Sequence, residues 1–350
     1  MKSQSLSLSS NDKLSFVSNL ATMIIAGIPI LEAIDSLLEE GKGDMKKMLG
    51  IIREDIMQGR HLYASFSNFP KVFDKVTVNI IRASEEAGTL GVTLKDLKEQ
   101  IIKEMEFNDR IKSALIYPVF IIVIFIAVLL LILVVVIPKI SSVFLRLNVT
   151  LPISTRILIY VSNFMLTHTV VVLAGVVGLC VGIFFFFKVK KTWALRILYS
   201  LPLVSGLVKE IDLTRFSRSM YLLLTSGITI TYALELSQDV VMRSDVASAI
   251  GYARDMVLAG KDLSDGFKQR RKIFSGIMIK ILEAGEKTGT LDKSMQDTSE
   301  FLDYQISKTL KTLTTMVEPI MLVFVGIMVG GMMLAVISPI YGLIGQVGGR

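Results

Sequence analysis

The chain repeats its own punctuation. Ala83-Ser84-Glu85-Glu86-Ala87-Gly88-Thr89-Leu90 has a near copy at Ala284-Gly285-Glu286-Lys287-Thr288-Gly289-Thr290-Leu291, displaced by 201 residues. In both copies an apolar helical run ends, a carboxylate stands three residues before a glycine, and a new helix follows. A glycine at such a stop suits a backbone that needs φ > 0 or a close approach. Upstream, Phe16, Gly27, Ile28, Ile30 and Ala33 recur as Phe216, Gly227, Ile228, Ile230 and Ala233 at a shift of 200. After one inserted residue, Gly59, Leu62, Phe66, Lys71 and Phe73 recur as Gly260, Leu263, Phe267, Lys272 and Phe274. Downstream, Asp96, Glu99, Pro118 and Pro138 match Asp297, Glu300, Pro319 and Pro339. The period is far longer than that of a solenoid. The pattern therefore predicts a duplicated domain, each copy followed by its own apolar segment.

Those segments place the chain in a membrane. Over 350 residues the hydrophobic content is 52% and the mean hydropathy +0.59, above the soluble norm, and the excess lies in runs. From Ser113 to Pro138 no side chain is charged. Those 26 residues reach roughly 39 Å as a helix, enough to cross a hydrocarbon layer of about 30 Å. A second uncharged run lies between Arg156 and Lys188, and a third from about Pro319 to Ile340. Three spans put the termini on opposite sides. Lys103, Arg110 and Lys112 precede the first span, Lys188, Lys190, Lys191 and Arg196 follow the second, and Lys308 and Lys311 precede the third. The other side has Lys139, Arg146, Arg156 and Arg350, so the bias in basic residues puts both repeated domains in the cytoplasm. The expected order is a first cytoplasmic domain at 1–112, a span at 113–138, a short outer loop at 139–165, a span at 166–187, the second cytoplasmic domain at 188–312, a span at 313–341 and an outer tail at 342–350. Residues 1–13 are polar, and Asn19, Glu32 and Asp35 interrupt the first apolar stretch, which does not fit a secretory leader.

Within the repeat, apolar residues recur at helical spacing. Ser10-Asn11-Asp12 offers an N-cap to a helix carrying Leu14, Val17, Leu20, Ala21, Ile24 and Ile25. Gly27 stops it, and Pro29 suits the first turn of the next helix, which runs to Gly41. Further helices are predicted over Asp44–Gln58, Leu62–Phe66, Asp74–Ala87 and from Val92 to Lys112. Turn dipeptides and strand alternation are scarce, so the fold class is an all-α membrane protein with two homologous six-helix-bundle domains. The second copy follows the same plan from Asp212 to Lys311, after a linker at Tyr199–Leu207 that contains Pro202 and Gly206.

Chemistry-bearing motifs are few. Gly285-Glu286-Lys287-Thr288 is not a P-loop, because the glycine four residues earlier is absent and the preceding run is helical. The turn reads instead as a structural joint, whose carboxylate caps the following helix or pairs with a neighbouring base, or as a contact for a partner. Cys180 is alone, and His61 and His168 belong to no metal-binding spacing. Hydrolase signatures are absent, so neither catalysis nor a cofactor is expected. The spans carry no ionisable group such as a transport path would use. Gly178 with Gly182 and Gly326 with Gly330 have the spacing that lets membrane helices approach closely. Residues 1–112 hold 15 basic and 16 acidic side chains against 19 and 14 in 188–312. Arg270-Arg271-Lys272 suits a solvated face, an acidic protein or anionic lipid, and lacks the aromatic platform of a nucleic-acid site.

Two helical domains, three spans in this order and the Gly-Glu-x-x-Gly-x-Leu turn at Gly285–Leu291 together resemble the polytopic inner-membrane platform proteins of type IV pilus assembly and type II secretion. The likeness covers roughly residues 13–340. The duplicated turn carries it, at Glu85, Gly88 and Leu90 and at Gly285, Glu286, Gly289 and Leu291, together with Pro118 and Pro319 at equivalent span entrances. Ser84 departs from the family's glycine. The resemblance implies a non-enzymatic, multi-pass protein of the inner membrane, N-terminus in the cytoplasm and C-terminus outside, that forms homo-oligomers. Its implied partners are a cytoplasmic secretion or pilus ATPase, pilin-like subunits and other inner-membrane assembly proteins. The competing class is a membrane transporter or receptor subunit with regulatory helical domains.

Overall fold

Ser9 opens the first helix. Its hydroxyl accepts the Asp12 N–H at 3.1 Å, and α1 (Ser10–Ile25) follows. The computed structural model describes residues 6–146, 153–168 and 202–347, and among these every regular element is helical. After α1 come α2 (Ile30–Glu40), α3 (Gly43–Met57), the short α4 (Leu62–Phe66), α5 (Lys75–Ala87) and α6 (Leu90–Leu131). The repeat returns as α9 (Pro202–Thr225), α10 (Ile230–Gln238), α11 (Ser244–Leu258), α12 (Leu263–Lys268), α13 (Gly276–Thr288) and α14 (Leu291–Val347). Between them lie a π-helical turn (Ile132–Val136), α7 (Ile137–Arg146) and α8 (Ile153–Thr167). The two predicted six-helix bundles are thus present, each closed by the first turns of a long helix.

Both bundles are built on the same aromatic triad. Phe16, Phe66 and Phe73 are buried together, with Phe66 and Phe73 stacked at 4.0 Å and Phe16 about equally far from each, at 5.9 and 6.0 Å. Phe216, Phe267 and Phe274 repeat this, the stacked pair at 3.8 Å and the others at 5.9 and 6.4 Å. Three rings from the first, fourth and fifth segments of each copy exclude water at one point, which fixes the short α4 and α12 against their neighbours.

The described residues of Met1–Arg110 and Pro202–Lys308 form one compact unit. Inside it the first domain leans on the second through α5, which packs against α9 and α10. Val76 and Ile80 of α5 are buried in the second domain's apolar core. Lys75 Nζ meets Asp239 Oδ2 at 2.6 Å, and the Tyr232 hydroxyl donates to Asn79 Oδ1 at 3.0 Å.

The second unit holds the described residues of Ile111–Leu201 and Thr309–Arg350. Here α6 and α14 run side by side: the Thr314 hydroxyl donates to the Ala114 carbonyl at 3.3 Å, and Phe125 and Phe324 meet edge to face at 5.2 Å. The π turn frees a carbonyl from the α-helical ladder. Leu133 O is such a group, and the buried Ser162 hydroxyl of α8 donates to it at 2.5 Å. Among the described residues two helices are long and apolar enough to cross a membrane, over Leu90–Lys139 and Leu291–Gly331, and the side chains of their most apolar stretches are largely uncovered. The span predicted at 166–187 falls almost wholly outside the described residues.

One expectation is corrected. Residues 202–207 belong to α9 and not to a linker, because Pro202 sits at the first helical position, where its missing N–H costs nothing. Within the expected outer loop, the described residues 139–146 and 153–165 are helical, in α7 and α8.

The early start of α9 turns Asp212 inward. Fully buried, it accepts the N–H groups of Met242 and Arg243 at 2.9 and 2.8 Å and so anchors the approach to α11. Burial pushes its pKa up, against the opposing pull of those two N–H groups, Arg215 and Arg243. With a raised folded-state value, its contribution to stability is complete below the unfolded pKa of about 3.9 and is lost as pH rises through the raised value. Thermal unfolding of the full chain should therefore lose less stability between about pH 4 and pH 7 in Asp212→Asn than in the parent; equal slopes would show that this group does not titrate there.

Candidate functional site

The last turn of a helix is a poor place for a carboxylate, because the negative pole of the helix dipole lies there. Glu85 and Glu286 each occupy such a turn, in α5 and α13. Both reach back across the bundle to an earlier helix. Glu85 accepts the Leu62 N–H at 3.0 Å through Oε1 and the Tyr63 N–H at 3.2 Å through Oε2, with His61 Nδ1 at 3.2 Å. Glu286 does the same for α12, taking the Leu263 N–H through one oxygen and the Ser264 N–H through the other at 3.1 Å. Each carboxylate supplies the cap that α4 and α12 lack, since His61 and Asp262 make no side-chain cap bond. The sequence predicts that the carboxylate caps the following helix or pairs with a neighbouring base; the capped helix lies upstream instead, and Glu85 also meets a base in His61.

Three residues on, the chain must leave its helix and begin another. Gly88 and Gly289 both have φ of 72°, the left-handed region where other residues are strained. The Thr89 and Thr290 N–H groups close the turn on Ser84 O and Gly285 O, each at 2.9 Å. Leu90 and Leu291 then drop into the two cores as the first residues of α6 and α14. The repeated octet is therefore one mechanical joint, built twice. It sets a short helix behind it and a long helix ahead of it.

The copies differ where α13 meets α14. A Cβ on Gly285 would stand 2.0 Å from Ser294 Oγ and 2.6 Å from its Cβ, so the glycine permits a backbone approach that a side chain forbids. At the equivalent place in the first domain, buried Ser84 donates to Ile81 O at 2.9 Å beside the buried Thr93. Gly285–Thr288 is the final turn of α13, so there is no phosphate-cradling loop.

The other predicted residues lie apart from the joint. Pro118 and Pro319 fall inside the unbroken helices α6 and α14. Nothing stands within 4 Å of where a Cβ on Gly326 or Gly330 would be, so no described helix of this chain packs on them. Gly178 and Gly182 lie outside the described residues. Arg270, Arg271 and Lys272 occupy the exposed turn before α13, with the Arg270 guanidinium 4.5 Å over the Tyr252 ring. His61 is taken up with Glu85, and His168 stacks on Phe164 at 4.9 Å.

One arrangement escaped the sequence reading. Arg218 of α9 is buried and donates to Asp303 Oδ2 of α14 at 2.8 Å, while its guanidinium lies 5.8 Å over Phe107 of α6. Burial pushes the Asp303 pKa up, and Arg218, Arg110 and Lys103 pull it down. A single cation thus ties the fourth turn of α14 to the fifth turn of α6. An arginine between Ser217 and Ser219 on a helix whose neighbours are core residues is the signal available in the sequence.

With this geometry in place, relatives can be compared. The chain matches the family described as type II secretion system (T2SS), protein F, over residues 16–138 and again over 216–339. It belongs to that family, and the two matched stretches coincide with the two copies of the repeat. It is similar to the type IV pilus assembly protein PilC of Myxococcus xanthus, 27% identical over 340 residues that cover 96% of this chain and 81% of that protein. PilC of Thermus thermophilus is 29% identical over 334 residues, with 94% and 82% covered. The type II secretion system protein F of Pseudomonas aeruginosa is 27% identical over 340 residues, with 96% and 84% covered.

Loss of the carboxylate should expose the amides it caps. Glu286→Ala is expected to destabilise the second domain by about 1–2 kcal/mol. Hydrogen exchange should rise first at Leu263 and Ser264, and protection there equal to that of the parent would reject the cap.

Proposed function

We propose that this protein is the inner-membrane platform of a type IV pilus or type II secretion machine. It couples a cytoplasmic ATPase to the assembly of pilin-like subunits into a filament. The protein performs no chemistry itself. It crosses the membrane three times, with both repeated domains in the cytoplasm and the C-terminus outside. Membership of the protein F family is the observation that carries this reading, together with relatives whose names specify pilus assembly and type II secretion.

The geometry suits the task. Work delivered by an ATPase has to reach helices among lipids, and a helix transmits a push along its axis without a hinge. Both long helices start at a Gly88- or Gly289-type joint, and both meet Arg218 several turns further on, at Phe107 and Asp303. The joint lets a load on α12 or α13 reach the root of α14. The apolar runs 113–138, 170–187 and 319–340 hold no Asp, Glu, Lys, Arg or His, and this weighs against a transporter.

Gly289→Val should abolish filament formation or secretion in the parent organism while leaving the amount of protein in the membrane unchanged. A β-branched residue at φ of 72° is strained, yet nothing lies near enough to clash with it. The parent protein should copurify with a secretion or pilus ATPase of its own organism. Normal filaments with the variant would reject the joint's role. Failure of the parent to copurify would reject the platform itself.

A further inference from the structure

Because the domain is duplicated, the contact between its two copies can be asked of every copy. Within one chain the donor face is α5 of the first domain and the receiving face is α9 with α10 of the second. The equivalent donor face on the second domain is α13. The equivalent receiving face on the first domain is α1 with α2. The chain uses the arrangement once, so one donor and one receiver are left over.

Both leftover faces are open. Val76, buried in the contact, corresponds to Ile277, which is 52% exposed. Thr225, which lines the groove facing Ile80 and Ala87, corresponds to Ile25, which is 57% exposed. Glu32, Glu39 and Lys280 are exposed and make no ion pair among the described residues.

The charges at equivalent positions are complementary. Asn79 and Tyr232, hydrogen-bonded at 3.0 Å within the chain, correspond to Lys280 and Glu32. Pro70 lines one groove with Asp239 and Val240, and these three correspond to Arg271, Glu39 and Glu40. The neutral Asn79–Tyr232 bond thus becomes Lys280 opposite Glu32, and the groove of Pro70, Asp239 and Val240 becomes Arg271 opposite Glu39 and Glu40, base on the donor and acid on the receiver as in the Lys75–Asp239 pair, whose own counterpart is Gly276 opposite Glu39. Asp35 of α2 is taken up with Arg53 and Arg270 with Tyr252, whereas Arg271 and Lys272 of the basic turn and Glu32, Glu39 and Glu40 of α2 make no ion pair among the described residues.

We propose that α13 and the Arg270–Lys272 turn of one chain dock onto α2 of the first domain of a second copy, reproducing between chains the contact seen within one. The contact is heterologous, since donor and receiver are different surfaces. It rests on few apolar residues and on exposed ion pairs, so it weakens with salt. The inference does not depend on which machine the protein serves.

The test uses the full chain in its native membrane, with Cys180→Ser to remove the natural thiol. Ser36→Cys and Gly276→Cys leave all the proposed charge pairs intact. Ser36 corresponds to Leu236 in the groove and Gly276 to Lys75, and a Cβ at Gly276 meets nothing within 4 Å. Chains carrying one or the other, each with its own tag, are coexpressed and treated with a short bismaleimide. The expected product is a mixed Ser36→Cys/Gly276→Cys dimer in excess over either same-residue dimer. Lys280→Glu in the Gly276→Cys chain should lower it about fivefold, and Glu32→Lys in the other chain should restore it. Same-residue dimers alone, adducts to an unrelated protein alone, or no mixed dimer between chains of unchanged melting temperature would overturn the proposal.

Discussion

Two backbone N–H groups at the start of a five- or six-residue helix have no partner within that helix, and a buried one is costly to leave unmet. In this protein both pairs are met by a carboxylate 22 or 23 residues further along the chain. Much of each bundle follows from that contact. It places α4 against α5 and α12 against α13, which brings Phe66 onto Phe73 and Phe267 onto Phe274. It also fixes the last turn of α5 and of α13, and with it the direction in which the glycine releases the chain. The cost of a carboxylate at the wrong end of its own helix is offset by the correct end of another.

The repeat made most of this legible before any coordinates. Glycines found by self-comparison at 27, 59 and 88, and again at 227, 260 and 289, all have positive φ. The carboxylate's partner was not legible, because Glu85 and Leu62 meet through tertiary packing that local spacing does not encode. The same holds for Arg218, whose role depends on Phe107 and Asp303 arriving from opposite halves of the chain. Pro202 was misread for a different reason: proline opens helices as readily as it ends them, and the residues after it decide which.

Differences between the copies separate what the fold requires from what each copy has acquired. The aromatic triad, the cap and the glycine joint are kept. Elsewhere polar interiors were exchanged. In the first domain buried Asp55 accepts from Ser65 at 2.7 Å, Arg60 at 3.0 Å and Asn68 at 3.3 Å. The second has Met256 and Gly266 in place of Asp55 and Ser65, and a Cβ on Gly266 would stand 2.9 Å from Ala253. A hydrogen-bonded carboxylate has been replaced by close backbone packing. Conversely, Asp12 is exposed on α1, whereas Asp212 is buried in the longer α9. Each domain satisfies its buried groups by its own means, so the conserved joint is not a relic of sequence copied wholesale.

A long helix is a useful strut only if its root cannot slip. For α14 three independent devices act: Leu291 in the core and the Gly285–Ser294 approach, which leaves no room for a methyl group, hold the root, and the Arg218–Asp303 bond holds the helix again about three turns further on. For α6 the first device is present, the second is relaxed by Ser84, and the third is reduced to a ring beneath a guanidinium. The two struts are therefore unequal in grip although equal in design. A push reaching the second domain has the stiffer connection, and the first domain has more freedom to yield. That asymmetry suits a protein in which one copy of the module receives load and the other adjusts to it.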